Sequence, residues 1–229
     1  MVLAGTLLIP YAIINGTHRV LLKSAGTEFQ TLYDELSLDN FGLKREVFDL
    51  AVAGYRNLSA QQALCNTQVI AIADLSQPST SRRLYIVDVA SRKMLFNTWV
   101  AHGKNTGNNM ATGFSNKPGS LQSSIGFYLT GESYNGQHGL SLRLHGLENG
   151  FNDKAYERAI VIHGADYVNE QIIRQTGRLG RSYGCPAVAP ELAEPIISTL
   201  GEGALVFVYY PDRNYLRSSR IAMVRAGVQ

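Results

Sequence analysis

The chain has 229 residues, of which 45% are hydrophobic and 17% are charged, a composition typical of a globular protein that can bury a full core and not of a disordered chain. Its 21 basic and 18 acidic residues leave a formal charge of +3, which is too small to indicate a nucleic-acid-binding protein. The length suits one large or two small domains, and no linker composition forces a division.

The N-terminal segment, residues 1–27, begins with an apolar run. This run lacks the basic start and the small-residue cleavage site of an export signal, and it is too short to span a bilayer with confidence. An export signal, an interfacial anchor and a first core strand remain open alternatives. Membrane association is expected only through this segment.

Two helices are predicted between Glu28 and Leu58, because apolar residues recur there at helical spacing. The two faces contain Phe29, Leu32, Tyr33 and Leu36, and then Val47, Phe48, Leu50, Ala51 and Tyr55. An apolar stripe of this kind usually faces a core, so we expect both helices to cover a sheet. A docking surface for a partner is the alternative.

From Gln68 onward, β-branched and aromatic runs alternate with polar turns, which predicts strands. They fall at residues 69–74, 83–89, 94–100, 125–130, 140–144, 158–162 and 204–210. A helix is predicted at 190–200, and a basic tail at 213–229. The chain is therefore predicted to be mainly β with flanking helices, of the α+β class, with residues 28–212 forming a single domain.

His163 and Cys185 are the candidate base and nucleophile. A thiol is mostly protonated at neutral pH, so an enzyme that attacks a carbonyl through sulfur places an imidazole beside it. Gly184 lets the backbone come close to a substrate carbonyl, and the amides of Gly184 and Cys185 could form an oxyanion hole. The alternative is that Cys185 is a small buried hydrophobic residue and that His163 is a structural group.

Other histidines and the second cysteine offer alternatives. His145 also precedes a glycine at a strand end, but it lacks the apolar run before it and ranks below His163. The histidines show no HxH, HxxxH or HExxH spacing, so no metal is predicted, and no other cofactor is expected. A disulfide between Cys65 and Cys185 would consume the nucleophile, so we predict that Cys185 is free.

At these residues the sequence resembles the L,D-transpeptidase catalytic domains (YkuD-like), and among them the murein L,D-transpeptidase catalytic domain branch. The family signature is a His-Gly pair followed by Ser-His-Gly-Cys and an arginine two residues beyond the cysteine. The chain matches it with His163-Gly164 and Ser182-Tyr183-Gly184-Cys185. It departs at Tyr183, which replaces a histidine, and at Ala187, which replaces the arginine. The resemblance extends from about Leu32 to Pro211.

The resemblance implies a YkuD-like β-sandwich or barrel with an N-terminal helical cover. It also implies that Cys185 attacks a carbonyl of a peptidoglycan stem peptide while His163 takes and returns the proton. An amine acceptor makes the enzyme an L,D-transpeptidase, and water makes it an L,D-carboxypeptidase. The carbonyl of Ser182 or the side chain of Asp166 could orient the imidazole. The expected location is the bacterial cell envelope, either periplasmic or exported.

Substrate contacts are expected on both sides of the cysteine motif. Because the family arginine is absent, Arg181 or Arg178 is the candidate for the substrate carboxylate, which a guanidinium binds through two parallel hydrogen bonds. Tyr183 is a further candidate. The alternative is that both arginine side chains only extend into solvent from the turn and bind no substrate.

The polar loop at residues 101–124 borders the cleft in the resembling family, and loops longer than about 12–15 residues are usually functional or disordered. His102, Asn105 and Ser124 are its candidate substrate contacts, with hydrogen bonds inside the loop as the alternative. Two rival functions remain: a cysteine peptidase acting on L-peptides and a catalytically silent peptidoglycan-binding module. The sequence does not predict the oligomeric state.

Overall fold

The computed structural model describes Phe29 and residues 31–223, so the predicted segment 1–27 lies outside the described residues. The strands are β1 (Val69–Asp74), β2 (Leu84–Asp88), β3 (Lys93–Thr98), β4 (Gly126–Gly136), β5 (Gly139–Gly146), β6 (Val161–Gly164), β7 (Ala187–Val188) and β8 (Leu205–Tyr209). The helices are α1 (Arg45–Ala60), α2 (Glu170–Thr176), α3 (Pro190–Leu200) and α4 (Arg213–Ser218). Residues 31–35 are also helical, and a 3-10 turn follows at Leu38–Phe41.

All eight strands belong to one mixed sheet, in the order β3-β2-β1-β8-β4-β5-β6-β7. β1 pairs with β8, and β6 with β7, in parallel, while the other neighbours are antiparallel. Beyond β3, Ala101 forms an isolated antiparallel bridge with Ala187 of β7. The two edges of the sheet therefore meet, and the sheet is nearly closed into a barrel. This confirms the predicted α+β class.

The two faces of the sheet pack into different cores, because successive strand residues point to opposite sides. One core lies beneath α3 and the other beneath α1, and β1 contributes alternate residues to each. Val69, Ala71 and Ala73 join the first core, and Ile70 and Ile72 join the second. The predicted N-terminal helical cover is therefore confirmed.

Strand β6 differs from its prediction in a way that matters for the site. It was predicted at 158–162, with His163 just beyond its end, but it begins at Val161 and includes His163. Ala159 has a φ of 52°, which lies in the left-handed region that a strand cannot continue through. As part of the strand, the histidine is paired on both sides, with Ser141 of β5 and with Ala187 of β7.

The described part of the predicted basic tail contains a helix that packs onto the domain. Helix α4 places Tyr215 in the core, where its hydroxyl donates to Oε2 of Glu148 at 2.8 Å. The same carboxylate accepts from the Phe127 amide at 2.8 Å and from the Ser219 hydroxyl. Burial raises the pKa of Glu148. A buried acceptor of this kind stabilises the fold only while its donors are present.

None of the helices in the described part of the chain has the length and hydrophobicity needed to cross a bilayer.

Replacing Tyr215 by Phe is expected to lower the free energy of unfolding by about 1–3 kcal/mol, because Glu148 stays buried and loses a donor. Tyr183→Phe is the matched control, since Tyr183 is 73% exposed, and its effect should stay within about 0.5 kcal/mol. Urea denaturation of the two variants and the parent protein measures the difference. Equal effects of the two substitutions would contradict the claim that the hydrogen bond from Tyr215 to buried Glu148 stabilises the fold.

Candidate active site

His163, in strand β6, is held in one tautomer by a hydrogen bond to the backbone. The side chain is 3% exposed, and Nδ1 lies 2.8 Å from the carbonyl oxygen of Gly164. Because a carbonyl can only accept, Nδ1 carries the hydrogen, and Nε2 of the neutral ring keeps its lone pair. Burial lowers the pKa of His163 below its ordinary 6.5. The ring is therefore a neutral base at neutral pH.

The carbonyl that orients this ring belongs to Gly164, whereas Ser182 and Asp166 were predicted for the role. The Ser182 carbonyl instead accepts from the Lys104 amide at 2.7 Å. Helix α3 packs against the end of β6 so closely that a Cβ on Gly164 would lie 3.1 Å from Cβ of Ala193. The glycine of the His-Gly pair therefore provides close helix packing, and its carbonyl fixes the tautomer.

Cys185 is a free, half-buried thiol beside the beginning of the same strand, as predicted for its redox state. Its sulfur lies 3.7 Å from the carbonyl oxygen of Ala159. Burial raises the pKa of the thiol above its ordinary 9.0, and the Val161 amide and the Arg158 guanidinium lower it in part. Val161 precedes His163 by two residues, so the amide beside the sulfur and the candidate base belong to the same strand.

The turn before the cysteine is held by its own serine. The hydroxyl of Ser182 accepts from the Gly184 amide at 3.1 Å and donates to the Cys185 carbonyl at 2.6 Å. The Gly184 amide is therefore engaged, which contradicts its predicted place in an oxyanion hole. Gly184 has a φ of 131°, and a Cβ there would lie 2.8 Å from the carbonyl oxygen of Gln122. Glycine is required at this position for both reasons.

Ser123 connects the long loop to the cysteine turn, a role that the sequence did not indicate. Its buried hydroxyl accepts from the Gly103 amide at 3.0 Å and donates to the Gly184 carbonyl at 3.1 Å. One hydroxyl thus joins three segments of the chain. The only signal in the sequence is a pair of serines immediately before a strand.

Arg158 is the cation beneath the cysteine turn, and sequence reasoning also missed it. Its guanidinium donates to the Gln122 carbonyl at 2.5 Å and to the hydroxyl of Ser124. A Cβ on Gly184 would lie 3.3 Å from its Nη2. An arginine at the start of the apolar run that leads to the histidine was the signal available in the sequence.

The three loop residues predicted as substrate contacts instead hold the loop together. His102 is 1% exposed, and its Nδ1 accepts from Arg83 at 2.8 Å. Burial, with the charge of Arg83 second, lowers the pKa of His102 to about 4. Asn105 donates to the Ser120 carbonyl at 3.0 Å. Ser124 is buried and binds the Arg158 guanidinium, so neither His102 nor Ser124 presents a free polar group to a substrate. Asn105 is exposed, and its substrate contact stays a prediction.

The two arginines predicted for a substrate carboxylate bind backbone carbonyls. Arg181 donates to Lys104 at 3.1 Å and to Gly107 at 2.9 Å, and Arg178 donates to Leu179 at 2.7 Å. Arg181 therefore braces the loop. Tyr183 is the predicted contact that stands open to solvent, since its side chain is 73% exposed.

A cavity of about 570 Å³ adjoins the end of β6 on the side of α3. Its lining includes His138, Asp166 and Glu194. The rings of His138 and His163 are stacked, with centroids 4.6 Å apart and planes inclined by 25°. Within residues 31–223 and Phe29, no group of three or more His, Cys, Asp or Glu side chains is arranged to hold a metal ion.

Arg158→Met is expected to raise the pKa of the Cys185 thiol further, because the nearby positive charge is lost. In a Cys65→Ala background, which removes the other free thiol, alkylation by iodoacetamide at pH 8 should slow, because the thiolate fraction falls by roughly tenfold for each unit of pKa. Arg158→Lys should recover part of the rate. Arg178→Met is the control and should leave the rate unchanged. If Arg158→Met is alkylated at the same rate as the parent protein, Arg158 does not lower the pKa of the Cys185 thiol.

Comparison with solved structures identifies L,D-transpeptidases and a cell shape determining protein, all of low identity. The enzyme from Mycobacterium smegmatis is 12% identical with a TM-score of 0.39, over 62% of this chain and 59% of its own. The helical cell shape determining protein Pgp2 from Campylobacter jejuni is 16% identical with a TM-score of 0.43, over 67% and 53%. This chain therefore spans less than two thirds of the length of either. No curated protein matches it.

The sequence also matches the family model described as the L,D-transpeptidase catalytic domain, over residues 39–209. That match includes all eight strands and the segments that carry His163 and Cys185. The chain thus belongs to the L,D-transpeptidase catalytic domain family.

Proposed function

We propose that the chain catalyses acyl transfer on peptidoglycan stem peptides through Cys185. Membership of the L,D-transpeptidase catalytic domain family supports a transpeptidase-type function. The observation that carries the residue assignment is the hydrogen bond from Nδ1 of His163 to the Gly164 carbonyl, which leaves Nε2 as a proton acceptor. The free thiol lies beside the start of the same strand.

The charges around the two groups favour a neutral resting pair. Burial raises the pKa of Cys185 and lowers that of His163, so both shifts disfavour a thiolate beside an imidazolium. Proton transfer from sulfur to Nε2 therefore accompanies attack on the carbonyl and does not precede it. Arg158 stabilises the negative charge that develops on sulfur during this step.

The proposed reaction then follows two balanced steps. The sulfur forms a bond to the donor carbonyl carbon, and the amide of Cys185 donates to the developing oxyanion. Collapse breaks the bond to the leaving D-amino acid, whose nitrogen takes the proton from His163. The thioester passes its acyl group to an incoming amine, or to water, as His163 removes a proton from that acceptor. The bond from carbon to sulfur breaks, and His163 returns this proton to the sulfur, which restores the thiol.

The acceptor decides between an L,D-transpeptidase and an L,D-carboxypeptidase. The proposed site of action is the bacterial cell envelope, in the periplasm or after export, because that is where peptidoglycan stems occur. Residues 1–27 are the proposed means of any membrane association.

A catalytically silent peptidoglycan-binding module is the second candidate function. The engaged Gly184 amide and the raised pKa of the Cys185 thiol favour it. Both features reduce the reactivity of the site in the resting state. A direct test for an acyl-enzyme separates the two functions.

Imipenem, the ligand in one solved L,D-transpeptidase structure, is the probe for that test. Mass spectrometry should show a covalent adduct on Cys185 that persists in Cys65→Ala and is lost in Cys185→Ala. His163→Gln should slow adduct formation on the order of 10²-fold or more, because the general base is lost. Because the pKa of His163 lies below 6.5, the rate should fall on acidification only below that pH. The absence of an adduct would favour the silent module.

Digestion of purified tetrapeptide muropeptides, with and without an added D-amino acid, should separate transfer from hydrolysis. Exchange of the terminal D-residue for the added amine indicates a transpeptidase, and loss of that residue indicates a carboxypeptidase. A peptide made only of L-residues is the control and should remain intact. Its cleavage would support a general cysteine peptidase. Cys185→Ala should abolish each activity.

A further inference from the structure

His138 lies in the two-residue turn between β4 and β5, a position from which an exposed side chain would ordinarily extend into solvent. Its ring instead stacks on His163, with a centroid separation of 4.6 Å. β5 carries Ser141 opposite His163 in the antiparallel pairing with β6, so the hairpin turn overhangs the base. His163 is 3% exposed beneath this cover.

We propose that His138 is a positioning residue for His163, whose ring it covers and holds in place by stacking from the β4–β5 turn. The proposal rests on the proposed function, in which His163 is the base. An imidazole attached to a strand can still rotate about its side-chain bonds, and one hydrogen bond at Nδ1 leaves tilting of the ring unrestrained. A flat ring stacked on its face removes that freedom and excludes water from that side.

The stack has an electrostatic consequence as well as a steric one. When His138 is protonated, its positive charge opposes protonation of the adjacent ring, and this adds to burial in lowering the pKa of His163. The other titratable groups of the shared cavity are Asp166, Tyr167 and Glu194.

Two substitutions separate the effects of the ring and of the charge. His138→Phe keeps an aromatic face and removes the titrating group, whereas His138→Ala removes both. Asn135→Ala is the control, because this exposed residue lies on the same hairpin outside the proposed machinery. Circular dichroism and thermal unfolding establish that each variant is folded.

The first readout is the NMR titration of the His163 ring, assigned with His163→Gln. It does not depend on turnover. His138→Phe should raise the pKa of His163 above that of the parent, because the neighbouring charge is gone. The control should leave the pKa unchanged. An identical His163 titration in the parent and His138→Phe would overturn the electrostatic part of the proposal.

The second readout is the rate of imipenem acylation of Cys185. His138→Ala should lose on the order of tenfold at the pH plateau, less than the loss expected on removing the base itself. His138→Phe should keep the plateau within about twofold and shift the acid limb to higher pH. If imipenem acylates His138→Ala at the same rate as the parent protein, the positioning role is overturned. If imipenem never reacts and His138→Phe still shifts the His163 titration, the proposed function fails and the electrostatic effect of His138 on His163 is supported.

Discussion

The parallel pairing of β6 with β7 is the constraint on which the site depends. It consists of two residue pairs, His163 with Ala187 and Gly164 with Val188. Such a short ladder cannot by itself fix the segment that precedes β7, where the cysteine lies. Three polar groups complete the constraint: the hydroxyl of neighbouring Ser182 and, from distant parts of the chain, the hydroxyl of Ser123 and the guanidinium of Arg158.

This arrangement also explains the electrostatic state of the thiol. A half-buried sulfur with a raised pKa holds little thiolate at rest, and susceptibility to oxidation follows thiolate character. The guanidinium of Arg158 lies close enough to lower the pKa in part without forming an ion pair with the sulfur. The thiol is thereby protected at rest, and in the proposed reaction it loses its proton when a carbonyl arrives.

Much of the fold follows from the sequence because its signals are local. β1 and α3 have the predicted bounds, since runs of β-branched residues and a proline-led apolar helix are recognised within a dozen residues. His163 and Cys185 could be selected for the same reason, because their side-chain chemistry is rare and each lies in a distinctive short context.

The remainder of the site depends on contacts between residues far apart in sequence. Arg158 reaches Gln122, and His138 reaches His163, through pairings that no spacing rule contains. The errors have the same origin. His102 was a candidate substrate contact because it lies in a polar loop, yet Arg83 binds its ring in the protein interior. The Gly184 amide was expected to be free, but a serine two residues earlier folds back onto it.

The contact between Gly164 and α3 extends control of the imidazole beyond its immediate surroundings. Since the glycine carbonyl determines which ring nitrogen holds hydrogen, the separation between helix and strand governs the base's tautomer. A bulkier side chain at Ala193 would displace that carbonyl without altering any ionisable group. In the proposed mechanism, helix packing is therefore a second, purely steric means of adjusting the base while the reactive side chains stay the same.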